Sequence, residues 1–117
     1  MFVSNLENNT INNKKYRKII YTKPNKFQLV LMAIKPGDGI PPIKSDELFE
    51  KHRDVVQFIK IESGSCVVYA GKSKKNISKR ILRAGMSVVI PNNYWHRIDN
   101  ISDQPLKLYT IYTPPEH

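Results

Sequence analysis

Short apolar segments alternate with turn-forming residues along most of this 117-residue chain. Gly, Pro, Asn or Asp ends the apolar runs at intervals of roughly ten residues, a spacing typical of antiparallel strands joined by short turns. The predicted strands are one that ends at Thr22 and those at residues 27–34, 55–61, 65–70, 76–82, 86–90, 95–100 and 106–112. This pattern predicts an all-β sandwich or barrel with almost no helix.

The strand predicted at residues 27–34 is apolar on both faces, because Leu29, Val30 and the residues that alternate with them are hydrophobic. A barrel wall needs one apolar face, so the other face must be covered. Residues 1–13 are polar and rich in Asn, and we expect them to be flexible and unable to supply that cover. We therefore predict a homodimer that buries the Leu29 face or the Val30 face of this strand.

Length and composition predict a single domain at residues 14–117 after the flexible segment. No apolar run approaches the roughly 20 residues that a membrane-spanning helix needs, and the N-terminus lacks the apolar core of a secretory signal. The lone cysteine, Cys66, rules out a disulfide within the chain and is expected to be a small buried side chain. We expect a cytoplasmic protein with no membrane partner.

The chain carries a net charge of +9, which raises the question of a nucleic-acid partner. Its basic side chains are scattered among the N-terminal residues 14–18, the region around a predicted hairpin at residues 71–76, and single positions elsewhere. Nucleic-acid recognition would favour one basic face interleaved with aromatic side chains, and this pattern is not evident. We expect mostly solvated surface charge, with non-specific attraction to polyanions at low salt.

Two separated segments carry candidate metal-ligating side chains. In the first, Glu50 and His52 share a parity, so an extended strand directs both to one face, and Gln57 follows. In the second, a turn at residues 91–93 precedes a strand that carries His96 near its start. A histidine beside a rigid turn has little conformational freedom to lose when it binds a ligand. The segments could therefore bring two imidazoles, a carboxylate and an amide to one point.

The second segment resembles a motif of the cupin family. The spacing Gly85-x5-Pro91-x-Asn93-x2-His96-x3-Asn100 is similar to the family pattern G-x5-P-x-G-x2-H-x3-N, with Asn93 in place of the central glycine. Asn is the non-glycine residue that best tolerates the left-handed backbone such a turn needs. The replacement is therefore a mild departure from the pattern.

The first segment resembles the other cupin motif. The spacing Glu50-x-His52-x4-Gln57 is similar to H-x-H-x4-E, with two ligand positions changed in type. Ten residues separate Gly39 from Glu50 where the family pattern has five, as if a short insertion around residues 43–49 lengthened that loop.

The resemblance extends from roughly Lys18 to the C-terminus and implies a cupin-type double-stranded β-helix, also called a jelly-roll barrel. It also implies one divalent metal ion, Fe, Mn, Ni or Zn, in the barrel mouth. The ligands that it implies are Glu50, His52, Gln57 and His96. Among known subtypes, the chain is most similar to small single-domain cupins described as mannose-6-phosphate-isomerase-like.

Three functions are compatible with these observations. The leading one is a metal-binding cupin that acts on or binds a sugar, a sugar phosphate or a keto-enol acid, as an isomerase or dioxygenase if it is an enzyme. The second is a non-catalytic ligand-binding or sensing module, because no general base is evident beyond the ligands themselves. The third, nucleic-acid binding, depends on charge alone.

The residues around His96 leave alternatives open. Tyr94 and Trp95 flank this histidine and either wall a small-molecule pocket or pack the core. Arg97 alternates away from His96 and is expected to face outward or toward a partner.

Two tyrosines on the last predicted strand, Tyr109 and Tyr112, point to opposite faces, and one of them is expected to reach the interior. The sequence does not say which. The terminal His117 is expected to lie outside the site.

Overall fold

The computed structural model describes residues 1–115 as two facing antiparallel sheets, which confirms the predicted all-β jelly-roll fold. Glu116 and His117, at the end of the predicted domain, lie outside the described residues. One helix, α1 (Leu6–Asn12), precedes the strands, and Ile43–Ser45 form a 3₁₀ turn. The strands are β1 (Lys18–Lys23), β2 (Phe27–Ile34), β3 (Gly39–Ile40), β4 (Glu50–Lys51), β5 (Val56–Ser63), β6 (Ser65–Ser73), β7 (Asn76–Arg83), β8 (Ser87–Ile90), β9 (Trp95–Asn100) and β10 (Leu106–Thr113).

Strands that are distant in sequence lie side by side in both sheets. The first sheet has the order β1-β2-β10-β5-β8, and the second has the order β3-β9-β6-β7, with β4 also paired to β9. The strand that carries His96 is therefore a direct neighbour of the strand that carries Glu50. Gln57, on β5, belongs to the first sheet and approaches the interior from the opposite wall.

Alternate side chains of the strands fill the space between the sheets. In β5, Ile59 and Ile61 are fully buried in this core, while Phe58 lies on the outer face against Tyr109. Burial of each such aliphatic side chain contributes about 1.5–3 kcal/mol to folding. Cys66 belongs to the same core, as expected, and burial raises the pKa of its thiol to about 11.

Strand β2 is buried on both faces, as its sequence indicated. Val30 and Met32 face the core between the sheets, while Leu29 and Leu31 point to the opposite face. Leu31 is only 1% exposed in a single chain, without any second subunit. Helix α1 packs against the outer face of β2, β5 and β10 and supplies this cover.

The expectation that residues 1–13 cannot cover β2 is therefore wrong. The side chain of Asn5 accepts a hydrogen bond from the backbone N–H of Asn8 (3.1 Å) and so caps the start of α1. Thr10 is fully buried, and its hydroxyl is satisfied by donating to the carbonyl oxygen of Leu6 (2.6 Å). Helix α1, with Thr10 as its buried residue, thus makes the contact that we expected a second subunit to make. We predicted a homodimer because this face of β2 needed cover, and α1 now provides that cover. A single chain does not test whether the homodimer forms.

No helix within residues 1–115 is long and apolar enough to span a membrane.

Arg97 fixes the long loop between β3 and β4. Its Nη1 atom donates to the carbonyl oxygens of Pro41 and Leu48, both at 3.3 Å, and its Nε lies 2.7 Å from Asp99 Oδ1. Its side chain is therefore only 12% exposed. Parity placed Arg97 on the correct side of β9, but the loop folds back over that side.

Candidate metal centre

The pairing of β4 with β9 creates a cluster of Glu50, His52 and His96. Glu50 is the direct cross-strand partner of His96, a position at which Cβ atoms are about 4.5–5.5 Å apart. His52 follows immediately after β4 and returns to the same face as Glu50, as parity predicted. One ligand atom from each of the three side chains lies within 4.8 Å of the other two.

The turn between β8 and β9 links the two histidine segments. Asn93 has a φ of 65°, the left-handed conformation expected at the glycine position of the motif. Its backbone N–H donates to the carbonyl oxygen of His52 (3.0 Å). This hydrogen bond ties the turn that precedes His96 to the segment that carries His52. The separation of the two imidazoles is thus held by backbone as well as by sheet register.

Both imidazoles lie close to one carboxylate oxygen of Glu50. The Nε2 atoms of His52 and His96 each lie 3.4 Å from Oε2 of Glu50, and the two ring centroids are 4.9 Å apart. The His96 side chain is 1% exposed, whereas that of Glu50 is 26% exposed. The cluster is therefore closed around His96 and open to solvent at Glu50.

The electrostatic environment keeps the Glu50 carboxylate ionised. Its burial by itself would raise the pKa, but the close approach of His52 and His96 outweighs burial and lowers the pKa to about 2. At neutral pH the cluster therefore presents one anionic oxygen and two imidazole nitrogens.

This arrangement fits a first-row divalent metal ion. Two ligands at about 2.0–2.2 Å from such an ion lie about 2.8–3.6 Å apart at ligand–metal–ligand angles of about 90–110°. The two separations of 3.4 Å fall within that range. His96 Nε2 is buried and makes no hydrogen bond within residues 1–115. His96 Nδ1 lies 3.4 Å from the carbonyl oxygen of Tyr94, and a proton on Nδ1 would leave the Nε2 lone pair available to a metal.

Gln57 enters the interior from the first sheet. It is 1% exposed, and its Nε2 donates to Oγ1 of Thr110 (3.0 Å). Its Oε1 has no hydrogen-bond partner among the described residues. An unpaired buried carbonyl oxygen costs about 1–3 kcal/mol, so this atom is suited to meet a water, a ligand or a metal. Metal ligation by Gln57 stays a prediction.

A polar row on the first sheet includes Gln28, a residue that the sequence analysis missed. Strand register places Gln28, Tyr112 and Gln57 side by side across β2, β10 and β5. The Tyr112 ring meets the His52 ring edge-on, with centroids 5.5 Å apart, so Tyr112 is the tyrosine that reaches the interior. Gln28 is 6% exposed and donates from Nε2 to Thr22 Oγ1 (3.2 Å). The sequence held one signal for Gln28, which is that it lies on the same face of its strand as Val30.

A cavity of about 430 Å³ opens beside the cluster. Its lining comprises Glu50 and His52 of the cluster together with Glu47, Phe49, Lys51, Arg53 and Trp95. The ammonium groups of Lys51 and Lys74 lie 5.2 Å and 4.3 Å from the Trp95 ring centroid, so the β6–β7 hairpin reaches this side of the molecule. Of the two flanking aromatics, Trp95 lines the cavity and Tyr94 packs against the core. The loop residues of the lining were missed because strand parity does not predict the course of a loop.

The chain matches the Cupin domain family over residues 30–112, a span that contains all four candidate ligands. It therefore belongs to the cupin family.

Relatives extend this likeness along the whole chain. The chain is 43% identical over 118 residues to the uncharacterized protein L612 of Acanthamoeba polyphaga mimivirus, covering 100% of this chain and 68% of that protein. It is 36% identical to the uncharacterized protein YrkC of Bacillus subtilis (strain 168), covering 99% of this chain and 59% of that protein. The crystal structure of BH2720 from Bacillus halodurans is similar with a TM-score of 0.89 and 32% identity, covering 99% of this chain and 83% of that one.

The chain thus spans 68% and 59% of the lengths of these two sequence relatives. Their descriptions, and that of BH2720, state no ligand or reaction. The resemblance to the mannose-6-phosphate-isomerase-like subtype therefore stays a prediction.

Proposed function

We propose that this cupin binds one divalent metal ion through Glu50, His52 and His96 and acts on or binds a small polar molecule in the barrel mouth. The convergence of these three side chains within 4.8 Å is the observation that carries the proposal. Two imidazoles and one carboxylate suit Fe, Mn, Ni or Zn and leave coordination positions open. A metal ion there would polarise a carbonyl or hydroxyl group of the bound molecule.

Gln57 is proposed as a fourth contact on the opposite wall. Its carbonyl oxygen either joins the ion as a neutral ligand or accepts a hydrogen bond from a water that the ion holds. The support is the burial of Oε1 and the anchoring of the amide nitrogen by Thr110.

The proposed small molecule is a sugar, a sugar phosphate or a keto-enol acid. The cavity beside the cluster carries charged side chains of both signs, Glu47, Lys51 and Arg53, which can pair with hydroxyl, carboxylate or phosphoryl groups. An isomerase or a dioxygenase would both suit such a ligand and metal. We also propose a cytoplasmic location, because the lone buried thiol of Cys66 fits a reducing compartment.

One observation favours a second candidate, a non-catalytic ligand-binding cupin. Gln57 carries an amide where the family pattern has a carboxylate, and an amide does not exchange a proton at ordinary pH. The carboxylate within the cluster, Glu50, is itself a proposed ligand. A bound molecule would then be held without a general base.

Titration of metal-free, untagged protein with Co²⁺, followed by visible absorption, tests the metal site. We expect one equivalent to bind per chain, and none in the double variant His52→Ala/His96→Ala. Glu47→Gln is the matched control, because Glu47 lines the same cavity without belonging to the cluster. Circular dichroism should show the same strand spectrum for all three proteins. A folded double variant that binds Co²⁺ as the wild type does would refute the site.

A screen of sugar phosphates and keto acids against the metal-loaded protein separates the two candidate functions. Product formation that the double variant lacks would support an enzyme. Saturable binding without product would favour the binding module.

A further inference from the structure

A second cavity, of about 480 Å³, lies between the N-terminal segment and the loop that follows β2. Its lining comprises Lys14, Tyr16, Ala33, Ile34, Lys35, Asp38, Pro42, Lys44, Pro105 and Lys107. None of the four candidate metal ligands belongs to this lining. The cavity is therefore a separate feature of the fold.

The charges that face this cavity are strongly unbalanced. Four lysines and one carboxylate, that of Asp38, line it. Oδ1 of Asp38 accepts hydrogen bonds from the backbone N–H groups of Gly39 (2.8 Å) and Ile43 (3.0 Å). The carboxylate is thus committed to the loop backbone and offsets one of the four positive charges.

Three of the lysines form no close ionic contact within residues 1–115, and Asp38 is the one carboxylate of the lining that acts on Lys44. Within residues 1–115, Lys14, Lys35 and Lys44 make no ion pair and no side-chain hydrogen bond. Lys107 differs, because its ammonium donates to the carbonyl oxygen of Asn13. Like charges gathered around one cavity create a positive potential that an anion would relieve.

The backbone that carries these lysines is ordered. The N–H of Ala33 donates to the carbonyl oxygen of Lys15 (3.0 Å), which fixes the residue after Lys14 against β2. The N–H of Asp38 donates to the carbonyl oxygen of Lys35 (3.0 Å) and closes the turn after β2. Lys44 lies in the 3₁₀ turn. Side chains on fixed backbone lose less entropy when they gather around a ligand.

We propose that this lysine-lined cavity binds a small anion that carries two or more negative charges, such as one with a phosphoryl group. Its volume falls within the range of about 300–1,000 Å³ that small-molecule sites occupy. Pro42 and Pro105 form apolar walls against which an organic portion can pack. The proposal is independent of the metal site.

Isothermal titration calorimetry with inorganic pyrophosphate tests the proposal. The protein is first stripped of metal and the chelator removed, because pyrophosphate would otherwise bind a metal in the cluster. At about 0.15 M salt, screening over roughly 8 Å suppresses the general attraction of a basic protein. We expect saturable binding with one pyrophosphate per chain.

The informative variant is Lys35→Gln/Lys44→Gln, and its matched control is Lys79→Gln/Arg80→Gln, at two exposed positions of β7. Both double variants remove two positive charges at exposed positions. We expect the cavity variant to weaken pyrophosphate binding about tenfold or more, as loss of charge-assisted hydrogen bonds implies, and the control by less than about twofold. Equal losses in the two variants, or no saturable binding by the wild type, would overturn the proposal. Thermal unfolding checks that both variants remain folded.

Discussion

Asn93 joins the two halves of the metal cluster through its backbone. Its φ of 65° turns the chain out of β8, and its N–H reaches the carbonyl oxygen of His52 at 3.0 Å. A residue other than Gly, Asn or Asp pays about 1–2 kcal/mol for this left-handed conformation. The side chain at this position therefore matters through the backbone shape that it permits.

Asn93→Val should destabilise the metal-free protein by about 1–2 kcal/mol, because a β-branched side chain disfavours positive φ. Asn93→Gly should keep the stability of the wild type to within a few tenths of a kcal/mol, because Gly also adopts a positive φ readily. Urea unfolding followed by circular dichroism measures both. The neighbouring exposed position supplies the control, Asn92→Val, which has no positive φ to maintain. Equal stability of the Val and Gly variants at position 93 would contradict this explanation.

At the scale of elements, the loop between β3 and β4 depends on Arg97. Replacing Arg97 with Met removes two hydrogen bonds to loop carbonyls and the ion pair with Asp99. We expect a loss of about 1–3 kcal/mol in stability, because hydrogen bonds from a charged group are among the stronger ones. Hydrogen exchange should accelerate at residues 43–49, and Co²⁺ affinity should fall because Glu50 follows this loop directly.

The matched control is Arg83→Met, at an exposed position on β7. If hydrogen exchange in the loop is as slow in the Arg97 variant as in this control, Arg97 does not anchor the loop.

Helix α1 covers part of the outer face of the first sheet. Removal of residues 1–13 should expose Leu29 and Leu31 on β2. Re-exposure of two buried leucines costs about 3–6 kcal/mol, reduced by whatever the remaining chain can re-cover. Urea unfolding of the truncated chain measures this loss. A control with Asn9→Ala, an exposed position on α1, should leave stability almost unchanged.

Local patterns in the sequence were sufficient for the strands but not for α1. Turn residues and apolar runs marked the ends of β2, β7, β8, β9 and β10 to within one residue, whereas β5 and β6 continue beyond their predicted ends. Helix α1 has no apolar stripe, because its buried face includes Thr10 with its hydroxyl bonded to the helix backbone. Tertiary packing stabilises this helix, and the period of apolar residues in a sequence does not reveal such packing.

Some residues of the candidate site could likewise be predicted from local sequence, and others could not. Glu50, His52 and His96 could be grouped because both segments resemble cupin motifs, with Glu50 and His52 sharing a parity and a turn preceding His96. Gln28 and Tyr112 could not be grouped with them, because their position depends on the register between β2, β10 and β5. Register between distant strands is set by whole-sheet packing and loop geometry.

At the scale of the whole molecule, α1 covers the surface that we first assigned to a dimer interface. The homodimer stays a prediction, but the face of β2 first assigned to it is covered within one chain. Light scattering of the full and truncated chains at tens of micromolar distinguishes the surfaces involved. We expect the truncated chain to self-associate more strongly than the full chain, because its uncovered leucines form an apolar patch. Equal masses for both chains would show that the face beneath α1 does not drive association.

The central claim is that this fold assembles a metal centre from Glu50, His52 and His96. Elemental analysis of untagged protein, purified without added metal, tests it most directly. We predict close to one equivalent of a first-row divalent metal per chain in the wild type. The folded His52→Ala/His96→Ala variant should contain almost none, since apolar burial and not the metal holds the sheets together. Wild-type protein that carries no metal and takes none up, or a double variant with unchanged metal content, would contradict the account.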